Sequence, residues 1–360
     1  MPTISAPATV LVTGANGYIG LWTVIDLLTR GYNVRGAVRS ASKAAALEAL
    51  VARKKPEAKD RFKGYVLTHE HAEQDSAFDE ALQGVDGVVH TASPISAPSD
   101  EPEAFNRPAV KGTLSILESA LRSRSVKRVV VVSSVKACSS DHDVPPRTYT
   151  EEDWNDDAVR TVEAQGRSAP LETKYDASKT LAERAAWDFL EHHKSEAAFD
   201  LTMVNPSWVF GPVADDTLPS PSSLPGTPLH FYNTLFAPHR PSMHERTPVC
   251  TNFVHVRDVT KILIRALEMP EAGGERFIAN ASVSTRAQWL LANQTLNLIP
   301  ALEKIDPADA EAPCPPHPYF SNEKSKRILG IEYRGVRETL VDAVEDFRAR
   351  GWLKDFGVEA

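Results

Sequence analysis

A continuous apolar run, Thr9-Val10-Leu11-Val12, passes through Thr13-Gly14-Ala15-Asn16-Gly17-Tyr18-Ile19-Gly20 into a stretch where Val24, Leu27 and Leu28 share a helical face until Gly31. A strand is expected at Asn33–Val38, a helix over Ala44–Arg53 and a third strand around Tyr65-Val66-Leu67. The alternation continues with a short helix from Ala77 to Leu82, a strand at Gly87–His90, a helix from Val110 to Leu121 and a strand at Val129–Val132. Unbroken valine runs suit strands buried on both faces. Repeated βα units of this kind predict an α/β fold with a doubly wound parallel sheet.

The regularity then lapses. Asp141–Ser168 is rich in Asp, Pro and Arg, and a long helix is expected from about Glu172 to His193. A sixth strand at Leu201–Val204 runs into Asn205-Pro206, after which prolines from Pro212 to Pro248 interrupt any regular pattern. A loop that long inside a compact domain points to function or disorder. Beyond it the patterning predicts a strand at Asn252–Val256, a helix from Asp258 to Met269, a strand at Arg276–Ile278, a helix over Arg286–Leu291 and a final helix from Arg337 to Leu353. The expected organisation is a nucleotide-binding domain over 1–205 that also receives 251–280, and a smaller irregular substrate lobe from 206–250 and 281–360.

Composition narrows the function classes. The 360 residues are 42% apolar and 24% charged, and the net charge of −8 comes without acidic or basic blocks. This argues against a nucleic-acid or anionic-membrane surface. The start of the chain has no basic segment followed by an apolar run, and no apolar stretch approaches spanning length, so a cytoplasmic protein is expected. Cys138, Cys250 and Cys314 are odd in number and widely spaced, which predicts a reducing compartment, no disulfide framework and no zinc site. His69, His71 and Asp75 lack a second cluster to complete a ligand set, so no metal is expected.

The glycines carry the first chemistry. A strand that turns over glycines into a helix presents unpaired N–H groups and a positive dipole to a phosphate, which assigns Gly14, Asn16, Gly17, Tyr18, Ile19 and Gly20 to a dinucleotide. At the end of the second strand, where an acid would hold the ribose hydroxyls of NAD, the chain reads Val38-Arg39-Ser40-Ala41-Ser42-Lys43. Arg39 and Lys43 suit a 2′-phosphate, so NADPH is expected over NADH. Tyr175 and Lys179 lie four apart on a helix, where the ammonium is expected to lower the phenol pKa toward the working range. Ser133 and Ser134 end the fifth strand at the sheet's carboxyl edge; strand alternation turns one of them to the site without saying which.

Together TGANGYIG, HTASP (90–94), VVSSV (131–135), YDASK (175–179) and NPSWVFGP (205–212) resemble extended short-chain dehydrogenase/reductases of the dihydroflavonol 4-reductase-like group, which includes fungal aldehyde, ketone and methylglyoxal reductases. The resemblance implies a Rossmann-type sheet and a catalytic set of Ser134, Tyr175 and Lys179. It places Thr91, Ala92 and Ser93 under the cofactor, and Pro206, Ser207 and Val209 beside the nicotinamide together with Tyr175 and Lys179. Pro94, Ser134, Trp208 and Phe236 are the substrate-facing candidates. Where relatives carry Asp followed by Leu or Met at the adenine, this chain has His71-Ala72, which leaves adenine contact open there. The implied activity is reduction of a small-molecule carbonyl by a monomer or homodimer. Two other readings compete: an epimerase or dehydratase of sugar nucleotides that retains NAD, and an NADP-binding sensor without turnover.

Overall fold

The computed structural model describes residues 3–67, 76–93, 99–139, 147–236, 250–314 and 317–359. In chain order it contains β1 (Thr9–Thr13), α1 (Tyr18–Thr29), β2 (Asn33–Val38), α2 (Ala41–Lys54), β3 (Phe62–Val66), β4 (Gly87–His90), α3 (Pro102–Ser123), β5 (Arg128–Val132) and β6 (Thr148–Tyr149). There follow α4 (Asp156–Gln165), α5 (Leu171–His192), β7 (Asp200–Pro206), β8 (Trp208–Phe210), α6 (Gly226–Phe236), β9 (Thr251–His255), α7 (Val256–Glu268), β10 (Arg276–Ala279) and β11 (Ser282–Ser284). The last elements are α8 (Arg286–Leu296), α9 (Pro307–Glu311), β12 (Tyr319–Phe320), α10 (Glu323–Leu329) and α11 (Val336–Ala349).

Seven strands form one sheet in the order β10-β7-β5-β4-β1-β2-β3, and every pairing in it is parallel. Val10, Leu11, Val12, Val88, Val89, Val129 and Val130 are fully buried, as strands covered by helices on both faces require. The order reverses between β1 and β4, which opens a crevice beyond their carboxyl ends. α7 closes one face against α1, where the Thr260 hydroxyl donates to Asp26.

A second core belongs to the lobe. Phe210, Phe231, Phe236, Phe253, Trp289 and Phe347 pack there, with Phe231 and Trp289 edge to face at 5.0 Å. Beside it β8 pairs with β9 in parallel and β11 with β9 antiparallel. β9, expected with the nucleotide-binding domain, therefore belongs to this small sheet, while α7 and β10 complete the large one.

Other expectations need correction. Residues 76–84 form turns rather than a helix. The Asp141–Ser168 stretch holds β6 and the ten-residue α4, whose start is capped by Asn155 accepting the Ala158 N–H at 3.1 Å. The proline-rich stretch holds β8 and α6; Pro228 sits in the first turn of α6, where its missing N–H has no helical partner to lose. The part of that stretch over 237–248 lies outside the described residues, as do Pro94, His69, His71 and Asp75. The cysteine expectation fails as well: Cys250 and Cys314 are joined by a disulfide, Cα–Cα 5.9 Å, across 64 residues. That separation leaves no local spacing to read, and only the fold brings the two together. Cys138 is buried and free. Among the described residues, no helix is long and apolar enough to cross a membrane.

Candidate active site

The site forms where β1, β4, β5 and β7 end. Gly14 follows β1 with φ +62°, a left-handed conformation natural to glycine, and its carbonyl accepts the Gly17 N–H at 2.8 Å. A Cβ on Gly14 would lie 3.0 Å from the Ala92 backbone, and one on Gly20 would lie 2.2 Å from the Gly14 oxygen. The loop is thus pressed between the start of α1 and the end of β4. No side chain caps α1 at Gly17, so its first amides stay oriented toward the crevice. The Thr91 hydroxyl donates to the Thr13 carbonyl at 2.6 Å, and the Ala92 N–H to the Thr13 hydroxyl at 3.2 Å, which locks β4 to β1 under the loop. His90 contacts that same hydroxyl through Nδ1 at 2.9 Å. Burial, aided by the Lys179 charge, pushes its pKa down to about 4, so the ring is neutral at pH 7.

Of the other residues assigned to the dinucleotide, Asn16 is exposed beside the loop and Ile19 packs on the core. The Tyr18 hydroxyl donates to the Gly211 carbonyl at 3.0 Å, which ties α1 to the lobe and leaves only the Tyr18 backbone at the helix start. Arg39 and Lys43 are exposed at the entry to α2, where Ser40 caps the helix by accepting the Lys43 N–H at 3.3 Å. A glycine cradle that no side chain could enter, a helix start without a cap and two exposed cations fit a dinucleotide with an extra phosphate.

Across the crevice, α5 presents Tyr175 and Lys179 on one face. Lys179 is 6% exposed; its Nζ donates to Ser93 Oγ at 2.7 Å and lies 5.7 Å from the Tyr175 ring centre. Burial pulls the Lys179 pKa down to about 8, against the raising effect of Glu183. Burial also pushes Tyr175 up to about 12, opposed by a hydrogen bond with Ser134 and reinforced by Asp176. Desolvation sets the direction of the Tyr175 shift, and the expected lowering by Lys179 is not among its causes.

Alternation along β5 resolves the serine pair. Ser134 meets Tyr175, and its oxygen also accepts the Lys136 N–H at 3.2 Å. Ser133 turns away and donates to Glu183 Oε2 at 2.5 Å. Glu183, 2% exposed, also accepts from Asn205 Nδ2 at 2.8 Å and Arg276 Nε at 2.6 Å. Asn205 in turn donates to the Ser134 carbonyl at 3.0 Å, and Arg276 to the carbonyls of Glu151 and Asp153. This network pins α5 to the ends of β5 and β7. Thr13, His90 and Asn205 stood within the quoted motifs without an assigned role, and Glu183 was not singled out, although it lies four residues beyond Lys179 on the same helical face.

The remaining assignments divide. Pro206 ends β7, and Ser207 is buried with its N–H donating to the Ala279 carbonyl at 3.0 Å. Val209 is buried in the main core. Trp208 is 39% exposed, its ring 4.6 Å from that of His230, so it is free to face a ligand. Phe236 is not: it is 1% exposed among Tyr232, Phe347 and Phe356, a lobe-core residue rather than a pocket wall.

Comparison with known proteins identifies the family and the fold. Residues 10–281 match the model of the NAD dependent epimerase/dehydratase family. The chain is 32% identical over 353 residues to cinnamoyl-CoA reductase CAD2 of Medicago truncatula, covering 95% of this chain and 96% of that protein. It is 34% identical over 350 residues to the ketoreductase azaE of Aspergillus niger, covering 93% and 96%. Among solved structures, yeast methylglyoxal/isovaleraldehyde reductase Gre2 complexed with NADPH superposes with a TM-score of 0.80 at 30% identity, covering 97% of this chain and 99% of that one.

Proposed function

The chain belongs to the NAD dependent epimerase/dehydratase family, and from that premise we propose that it is an NADPH-dependent reductase of ketones and aldehydes in which Tyr175 gives the proton to the carbonyl oxygen. The observation that carries this reading is the meeting of Ser134, Tyr175 and Lys179 at one sheet edge opposite the glycine loop. Relatives that are reductases, one of them solved with NADPH, support it.

Bound NADPH supplies the hydride. The Gly14–Gly20 loop and the first amides of α1 hold the pyrophosphate, and Arg39 with Lys43 hold the 2′-phosphate. Thr91, Ala92, Ser93, Pro206, Ser207 and Val209 shape the floor and flank of the nicotinamide end. Lys179 and Tyr175 reach the neighbouring ribose. The substrate oxygen accepts hydrogen bonds from Ser134 and Tyr175, and the neutral phenol, held protonated by burial, already carries the proton that carbonyl reduction consumes. Trp208 offers an apolar wall to the substrate. A hydride-recycling epimerase that keeps NAD is disfavoured by Arg39 standing where an acid would hold the ribose, and a sensor without turnover has no use for Tyr175 set beside the buried Ser134 and Lys179.

A panel of aldehydes, ketones and keto esters, followed by NADPH absorbance with NADH in parallel, tests the proposal. Turnover with NADPH is expected; its absence across the panel, or tightly retained NAD released on denaturation, overturns it. A charge-assisted contact is worth about 1.5–3 kcal/mol, so Arg39→Ala should reduce the NADPH/NADH ratio of kcat/KM roughly tenfold or more. An unchanged ratio would remove Arg39 from the site.

The two serines should separate by effect. Ser133→Ala removes one hydrogen bond to the buried Glu183 and should cost about 1.5–3 kcal/mol of stability in denaturant unfolding, with kcat within about threefold. Ser134→Ala should leave stability within about 1 kcal/mol and lower kcat roughly 100-fold. The reverse pattern would assign the catalytic hydroxyl to Ser133.

A further inference from the structure

Outside the proposed reductase site, one cluster gathers three metal-ligating groups, one more than a disulfide uses. Cys250, Cys314 and His317 bring their ligand atoms within 4.8 Å of one another, and all three are half-buried. Cys314 and His317 are separated by two residues, a C-x2-H spacing that supplies two ligands from one short stretch of sequence, while Cys250 comes from 64 residues upstream, just before β9. Both segments are fixed to the fold. The Asn252 side chain donates to the Pro318 carbonyl at 2.8 Å, the Tyr319 N–H donates to the Arg147 carbonyl at 3.1 Å, and the His317 ring lies 4.3 Å from the Tyr319 ring.

We propose that in the reduced chain Cys250, Cys314 and His317 bind a zinc-type divalent cation, and that the disulfide is the metal-free, oxidised state of the same site. A disulfide uses two sulfurs, whereas the cluster brings an imidazole to the same place; two thiolates and an imidazole make a three-residue zinc set with water in the fourth position. The conversion balances. A dithiol reductant delivers two electrons and two protons to the Cys250–Cys314 bond, which breaks to two thiols as the reductant closes its own disulfide. Zinc(II) then binds both sulfurs and displaces the two protons to solvent. The site also has a position that matters: β9 pairs Phe253 with Trp208 of β8, so the metal or the disulfide holds the entry to the strand beside that exposed ring.

The test uses the full chain, reduced with a dithiol that is then removed under anaerobic conditions, and titrated with zinc chloride against a chromogenic chelator. One zinc per chain is expected in the reduced protein and none in the oxidised protein. Cys250→Ser/Cys314→Ser should take none in either state, and His317→Ala should bind at least roughly tenfold more weakly. Cobalt(II) added to the reduced wild-type chain, which needs no variant to fold, should give thiolate-to-metal charge-transfer absorption. Zinc uptake no greater than that of the double serine variant, wild-type affinity in folded His317→Ala, or cobalt without the charge-transfer band would each overturn the proposal.

Discussion

Tyr175→Phe is expected to lower kcat for carbonyl reduction by about 10²–10⁴-fold while NADPH still binds, measured by steady-state absorbance alongside fluorescence titration of the cofactor. The size follows from what one oxygen does. Tyr175 is the hydroxyl that touches Ser134, it stands over the buried Lys179, and burial holds its pKa up to about 12. A phenol so desolvated is a proton reservoir at pH 7, and phenylalanine fills the same volume without the proton. The fold should therefore survive with the chemistry removed. The same geometry sets an alkaline limit: Lys179, pulled down to about 8, is cationic below that pH and loses its charge above it, so kcat/KM of the wild-type chain should fall as pH rises through about 8. Around Lys179, Glu183 favours the ammonium while the neutral His90 and the Ser93 hydroxyl add no charge. Full activity in Tyr175→Phe would remove Tyr175 as proton donor.

How much of this could be read from the chain depends on how local each signal was. β1, β4 and β5 followed from apolar runs, because strands buried on both faces leave little else to place there. α4 escaped detection because its start is set by Asn155, which is held by the carbonyls of Lys136 and Ser139 far back in the chain. α6 was hidden by Pro228, whose effect depends on its position within the helix. At the site, Tyr175 and Lys179 were legible as neighbours on a helix, but the direction of the tyrosine shift was not, since sequence shows the nearby charge and not the burial that sets that direction. Ser134 was separable from Ser133 only by resemblance, until Glu183 and Tyr175 stood on opposite sides of the β5 terminus. Phe236 read as either a pocket wall or a packing residue of the lobe, and only its lobe-core partner Phe347, more than a hundred residues on, decides for packing. The disulfide had the same problem: proximity made by the fold leaves no mark in spacing.

The glycine loop yields the other large effect. Gly20→Ala should weaken NADPH binding by roughly 10²-fold or more, since misplacing a binding group by about 1 Å can cost that much. Its Cβ would stand 2.2 Å from the Gly14 carbonyl oxygen and 2.8 Å from Thr91 Oγ1. The oxygen belongs to backbone that also accepts the Gly17 N–H, so it cannot rotate away as a side chain would. The threonine is likewise engaged, donating to Thr13. The start of α1 must then withdraw from the loop, taking with it the amides proposed to hold the pyrophosphate. Gly84→Ala serves as the control: a Cβ there meets nothing within 4 Å, although its φ of +67° carries a backbone strain of its own. It should cost stability of order 1 kcal/mol and leave the Kd for NADPH unchanged. A Gly20→Ala protein that folds and binds NADPH as tightly as the parent would show that the tight approach of helix to loop serves packing alone.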